Sequence, residues 1–143
     1  EMKDDPEGDL AVRYEFLRTQ DTIDYRTRQC QLLFERFGNV QKGYSPTMSR
    51  ELNKLIKTCN EKDIKIIIML SQRLGDRYEY LLPLYNSLPE ANKISFANPD
   101  EYPFLNDRDN LFDLAHLNRN GSVVFTKLFA DLFLEKIQQQ ERE

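Results

Sequence analysis

Histidine is nearly absent from this chain of 143 residues: there is one, His116, and the only two cysteines, Cys30 and Cys59, lie far from it and from each other. A zinc-type centre draws on closely spaced Cys and His ligands, so the sequence holds no such metal motif, and no cofactor is implied. Both cysteines fall in helix-like stretches and read as two buried free thiols, with a disulfide between them as the alternative. Long apolar runs are also missing. The longest, 66–70, is far short of the roughly 20 residues that cross a bilayer. A basic stripe is missing too: a net charge of −4 and a pI near 5.2 exclude nucleic acid as the principal partner, because phosphates call for a basic surface. No signal-like segment starts at Glu1, which leaves the compartment open. No internal repeat or low-complexity tract is visible.

What is present describes one folded domain over 1–143. Hydrophobic residues make up 40% and charged residues 31%, a balance of folded rather than disordered chains. Residues 1–8 are acidic, contain Pro6 and Gly8, and read as a flexible lead-in. Leu10, Tyr14 and Leu17 keep helical spacing, and Asp21 is the expected cap of a second helix. That helix carries Ile23, Cys30, Leu33, Phe34 and Phe37 and ends at Gly38-Asn39. After a loop, Ser45 or Thr47 caps a third helix with the stripe Met48, Leu52, Leu55, Ile56 and Cys59. The β-branched run 64–70, bounded by turn residues, predicts a buried strand of a parallel sheet covered on both faces.

Pro83 limits a short helix containing Tyr78, Leu82 and Tyr85; a shorter strand over 94–97 and an irregular loop through Tyr102-Pro103-Phe104 follow. A last helix over 121–138 carries Phe125, Leu128, Phe129, Leu132 and Phe133 at helical spacing, and these phenyl rings read as core. The order predicts a βαβ unit in an α/β fold. Two strands make a poor sheet by themselves, so the strand at 64–70 calls for neighbours from the missing half of a doubly wound sheet or from a second copy of the chain.

The chemistry concentrates in Phe112-Asp113-Leu114-Ala115-His116-Leu117-Asn118, followed by Arg119-Asn120-Gly121-Ser122. An Asp and a His three residues apart on one tight helical turn point the same way, so the carboxylate reaches one imidazole nitrogen and the other faces outward. That is the orienting half of a hydrolytic triad, in which the carboxylate fixes the tautomer while the ring takes a proton from a serine hydroxyl. Asn120-Gly121-Ser122 supplies turn and capping residues and places the dyad on a loop leading into the last helix. Asn118 reads as holding that loop through backbone hydrogen bonds, not as catalytic.

Asp-x-x-His-Leu-Asn-x-x-Gly-Ser just before a closing amphipathic helix resembles the last conserved block of the SGNH/GDSL hydrolases, over about the final third of the chain. A weaker likeness runs upstream: Lys42-Gly43-Tyr44-Ser45-Pro46, a helix and then the apolar run are similar to cell-envelope members of that superfamily, D-alanyl-transfer-like proteins among them. The resemblance implies a three-layer α/β/α, flavodoxin-like fold of few parallel strands with flanking helices. It also implies ester hydrolysis or acyl transfer on a small-molecule or glycan ester, with His116 as base and Asp113 as orienter, in an extracytoplasmic setting.

Two family features are missing. Gly-Asp-Ser, which carries the nucleophile, does not occur: Gly8-Asp9 is followed by Leu10 and Gly75-Asp76 by Arg77. Gly-x-Asn-Asp, which supplies oxyanion donors, does not occur either, since Asn106-Asp107 follows Phe104-Leu105. The expectation is therefore the C-terminal portion of such a hydrolase, whose serine lies on a segment outside these residues. Ser71, at a strand end, lacks the small-residue elbow of a nucleophile and reads as a loop or cap residue. Arg73 and Arg77 read as surface charges or as anion binders. Tyr102, Phe104 and Leu105 either line an acyl or leaving-group pocket or pin their loop to the sheet. The alternative function is a non-catalytic binding or dimerisation domain that keeps the fold.

Overall fold

The computed structural model describes residues 19–41, 45–74 and 77–142. The lead-in 1–8, the helix expected around Leu10, Tyr14 and Leu17, the Lys42-Gly43-Tyr44 triplet and Gly75-Asp76 lie outside the described residues.

Helix α1 spans Gln20–Phe37. Its cap is Thr19, whose Oγ1 accepts from the Thr22 N–H, and Asp21 sits inside the first turn instead of capping it. Carboxylates favour a helix start in either position, so the expected cap is corrected by two residues. At the other end the Gly38 N–H bonds the Phe34 carbonyl at 2.8 Å. The Asn86 side-chain amide, reaching over from a later helix, donates to the carbonyls of Phe37, Gly38 and Val40. Helix α2 spans Pro46–Glu61, with Ser45 as its cap and Pro46 in the first turn, where a missing N–H costs nothing. Only Ile56 of its apolar stripe is buried; Met48 and Leu55 are exposed.

The sheet has two parallel strands, β1 (Ile68–Leu70) and β2 (Lys93–Ser95), with Met69 opposite Ile94. Both are shorter than expected, because a strand extends only as far as its ladder partner does. Residues 64–67 have no partner strand among the described residues. The expectation of burial on both faces is also corrected: Met69 is 44% and Ile64 52% exposed.

Helix α3, Tyr78–Asn86, forms the crossover between the strands and packs on α1, where the Phe34 and Tyr78 rings lie 5.7 Å apart. Pro83 lies inside it and does not end it. Three single-turn 3₁₀ segments, Glu90–Asn92, Pro103–Asn106 and Arg108–Asn110, pave the way to the last helix, α4, Arg119–Gln140. None of the described helices is long and apolar enough to cross a membrane.

Two apolar clusters hold these elements together. One joins Ile23 and Cys30 of α1 to Leu74, Tyr78, Leu82, Ala97 and Leu111. The other joins Ile94, Phe96 and Leu105 to Phe125, Phe129 and Leu132 of α4, with the Phe96 and Phe125 rings edge to face at 4.8 Å. Leu117 touches both. Phe125 and Phe129 are core as expected, whereas Phe133 is more than a third exposed. The architecture is thus a mixed α/β domain, mainly helical, around a small parallel sheet.

Candidate active site

The dyad is carried by a hairpin, not by a helical turn. Leu111 and Leu117 form an antiparallel bridge, and the N–H groups of Phe112 and Asp113 both point at the His116 carbonyl, at 2.8 and 3.3 Å. The reason the chain does not continue as helix is Asp113 itself. Its Oδ1 accepts from the backbone N–H groups of Ala115 (2.7 Å) and His116 (2.8 Å), a local turn that competes with helical bonding. The same carboxylate then meets the His116 Nδ1 with both oxygens, at 2.9 and 2.8 Å.

The electrostatics follow. Burial pushes the Asp113 carboxyl up, but the Ala115 N–H, the His116 ring and the His116 N–H together outweigh it and hold the group below the usual carboxylate range. Asp113 therefore stays ionised, only 14% exposed, against an imidazole that is 66% exposed. With Nδ1 held by the carboxylate, Nε2 is the nitrogen left to exchange a proton.

The hairpin is clamped at its base and at its tip. At the base the Asn118 N–H donates to the Asn110 carbonyl at 2.9 Å, its side-chain amide donates to the carbonyls of Asp109 (2.7 Å) and Leu111 (3.4 Å), and its Oδ1 caps α4 by accepting from the Gly121 N–H at 3.0 Å. At the tip the Leu114 carbonyl accepts from the Leu74 N–H at 2.8 Å, which ties the dyad to the loop after β1.

Asp113 and His116 are thus brought together as expected, on a loop that leads into the last helix, and Asn118 holds that loop. The other candidates stay apart from them. Ser71 lends its carbonyl to the Tyr78 hydroxyl at 2.8 Å, and no serine hydroxyl bonds His116 among the described residues. Arg77 pairs with Glu79 at 3.2 Å and lies over the Tyr80 ring, so it is a surface charge; Arg73 is exposed. Leu105 is fully buried, Tyr102 packs on Phe96, and the Phe104 carbonyl takes the Asn110 side-chain amide. Tyr102 and Leu105 thus pin the loop, whereas the Phe104 side chain is exposed and meets the Tyr102 ring edge-on. Both thiols are free, Cys30 buried and Cys59 half-buried. No cluster of three or more His, Cys, Asp or Glu side chains suited to a metal occurs among the described residues.

The sequence carries no signal for Asn110 and marks Gly121 only as a turn residue. Asn110 provides the carbonyl that the Asn118 N–H uses, and Gly121 packs so closely on it that a side chain has no room. No protein-family model matches this chain, and no curated protein or solved structure matches it significantly.

Proposed function

We propose that this chain carries the acid–base half of a serine ester hydrolase or acyltransferase of the SGNH type. The observation that carries the reading is the two-oxygen grip of Asp113 on Nδ1 of a largely exposed His116. In this reading His116 Nε2 removes the proton of a serine hydroxyl as its oxygen adds to the ester carbonyl. The imidazolium, steadied by ionised Asp113, returns that proton to the departing alcohol, and an acyl-serine remains. A water, or an acceptor alcohol in the transferase variant, then repeats the cycle. The serine comes from a segment other than those described, and the substrate is a small-molecule or glycan ester. The parallel strand pair, its crossover helix and the dyad loop leading into the last helix support a three-layer α/β/α fold, in which the open side of β1 meets the rest of the sheet.

The test is fluorophosphonate labelling of the full-length gene product, with mass spectrometry to find the adduct. One labelled serine, with labelling strongly reduced in His116→Ala, is the expected result. Undiminished labelling in that variant, or none in the wild type, overturns the assignment.

A second reading, a non-catalytic binding or dimerisation domain, is favoured by the apolar side chains of Met48, Leu55, Met69 and Leu134, which stand between 44% and 57% exposed. Sedimentation equilibrium separates the two readings: a stable dimer of the full-length product with no esterase turnover favours binding.

A further inference from the structure

The two-stranded sheet has a free edge on each strand, and the edge of β2 borders a groove of about 590 Å³. Along a parallel strand, successive residues turn their N–H and C=O groups alternately to one neighbour and to the other. The Phe96 N–H bonds the Leu70 carbonyl at 2.8 Å. With Met69 opposite Ile94 and Leu70 opposite Ser95, that bond assigns the backbone groups of Ile94 to β1. The N–H and C=O groups of Lys93 and Ser95 therefore point away from β1, on the groove side, and they have no hydrogen-bond partner among the described residues. The groove opens between two layers: Phe34 and Leu82 on its wall belong to the first apolar cluster, Tyr102 and Leu132 to the second. A lysine on an edge strand commonly blocks the addition of another strand. Here the Lys93 side chain is drawn aside, its Nζ 3.2 Å from Glu90 and 5.3 Å from the centre of the Tyr85 ring, and it is only 12% exposed.

We propose that the β2 edge is a docking site for an extended basic peptide segment of a partner protein, which adds to the sheet as a third strand. Such a segment lies roughly 4.8 Å from its neighbour and offers, from every second residue, the donor and acceptor that Lys93 and Ser95 call for. Its side chains alternate between the two apolar walls. The charge of the partner follows from the rim, where Glu35, Glu90, Asp100 and Glu101 stand against Lys93 and Lys136. Both lysines are taken up by Glu90, and Asp100 and Glu101 accept from the neutral amides of Gln31 and Asn98. The rim is thus left with negative charge. Residues 1–18 of this chain are themselves net acidic and do not answer it. Asp113 and His116 do not border the groove, so the site is separate from the dyad and does not rest on the hydrolase reading.

The probe is the blocked peptide acetyl-Lys-Val-Thr-Val-Thr-Val-Arg-amide, compared with a counterpart that carries Glu at both ends, each titrated into the full-length protein by fluorescence anisotropy. The basic peptide binds and the acidic one is weaker by about tenfold or more. The amides of Lys93 and Ser95 gain protection from hydrogen exchange in the complex. Of two forms of the basic peptide N-methylated at alternate residues, one loses about tenfold or more in affinity and the other keeps it, because only every second residue turns its N–H to β2. Ser95→Pro removes an edge donor at a position where an edge strand tolerates proline, and binding is lost; Ser95→Ala keeps the N–H and binds as wild type does. Should the proline variant fail to fold, the N-methylated peptides carry the comparison. No binding of the basic peptide, equal binding of the basic and acidic peptides, or equal binding of the two N-methylated forms overturns the proposal. Protection at Lys93 and Ser95 that rises with protein concentration alone assigns the edge to a second copy of the chain and overturns it as well.

Discussion

Gly121 sits so closely against the backbone of Asn110 that a side chain at this position would collide with the Asn110 carbonyl oxygen. That oxygen also receives the Asn118 N–H, so the first turn of α4 and the base of the dyad hairpin meet at one atom. Gly121→Ala has to push the hairpin off the helix. We expect a loss of about 2 kcal/mol, in the range of overpacked cores, read as a lower urea midpoint with an unchanged slope. A midpoint equal to wild type counts against the close approach.

Asn118 caps α4 with its oxygen and holds two hairpin carbonyls with its amide. Asn118→Ala loses both functions and is expected to cost about 1–2 kcal/mol. Asn118→Asp keeps the cap but not the donors, and should fall between wild type and alanine in thermal unfolding. Equal losses in both variants place all of the effect on the amide.

The lowered Asp113 pKa makes stability depend on pH with a definite sign. An unfolded aspartate titrates near 3.9, and the folded one below that because its hydrogen bonds outweigh its burial. The resulting stability is present above about pH 4 and disappears as pH falls through the folded value. Urea midpoints measured from pH 7 down to pH 2 should drop more steeply for wild type than for Asp113→Asn. Parallel curves would show that the carboxylate is not held as described.

The two thiols should separate chemically. Cys30 is buried, its Sγ 3.6 Å from the Ala97 carbonyl, and burial, with a smaller push from Asp100, raises its pKa to about 12. Its thiolate is negligible at pH 8, so it resists a disulfide reagent that needs the thiolate. In native protein one equivalent, from half-buried Cys59, reacts, and the second appears only on adding denaturant. Two equivalents reacting at one rate would contradict the packing of α1 on residue 97.

The dyad was legible in the sequence because spacing alone brings the two side chains into reach. Asp-x-x-His suits a helical turn and equally a hairpin in which the carboxylate caps its own turn. The choice between them was decided by the Leu111–Leu117 pairing and by the Asp113 bonds to Ala115 and His116, which periodicity does not reveal. The strands are legible as elements but not in length, since Ile64, Ile66 and Ile67 have apolar side chains without a ladder partner among the described residues. The Thr19 cap is not legible because Asp21 offers the same acceptor chemistry two positions later. The local pattern marks Gly121 as a turn glycine, but its constraint comes from Asn110, eleven positions earlier, and no local pattern encodes a contact of that kind.

Helix α4 is fastened at both ends. Its start is locked to the dyad hairpin through Asn118, and at its far end the Gln140 amide donates to the carbonyls of Ile66 and Ala91, just ahead of the two strands. Lys136 adds a bond to the Glu90 carbonyl at 2.9 Å. A rod pinned this way at both ends acts as a brace for the sheet: fraying at residue 140 and loosening at residue 118 draw on the same opening event. In native-state hydrogen exchange, the amides of the hairpin and of the buried side of α4 should then share one opening free energy, and Gln140→Ala should lower protection at His116 although the substitution lies at the opposite end of the helix.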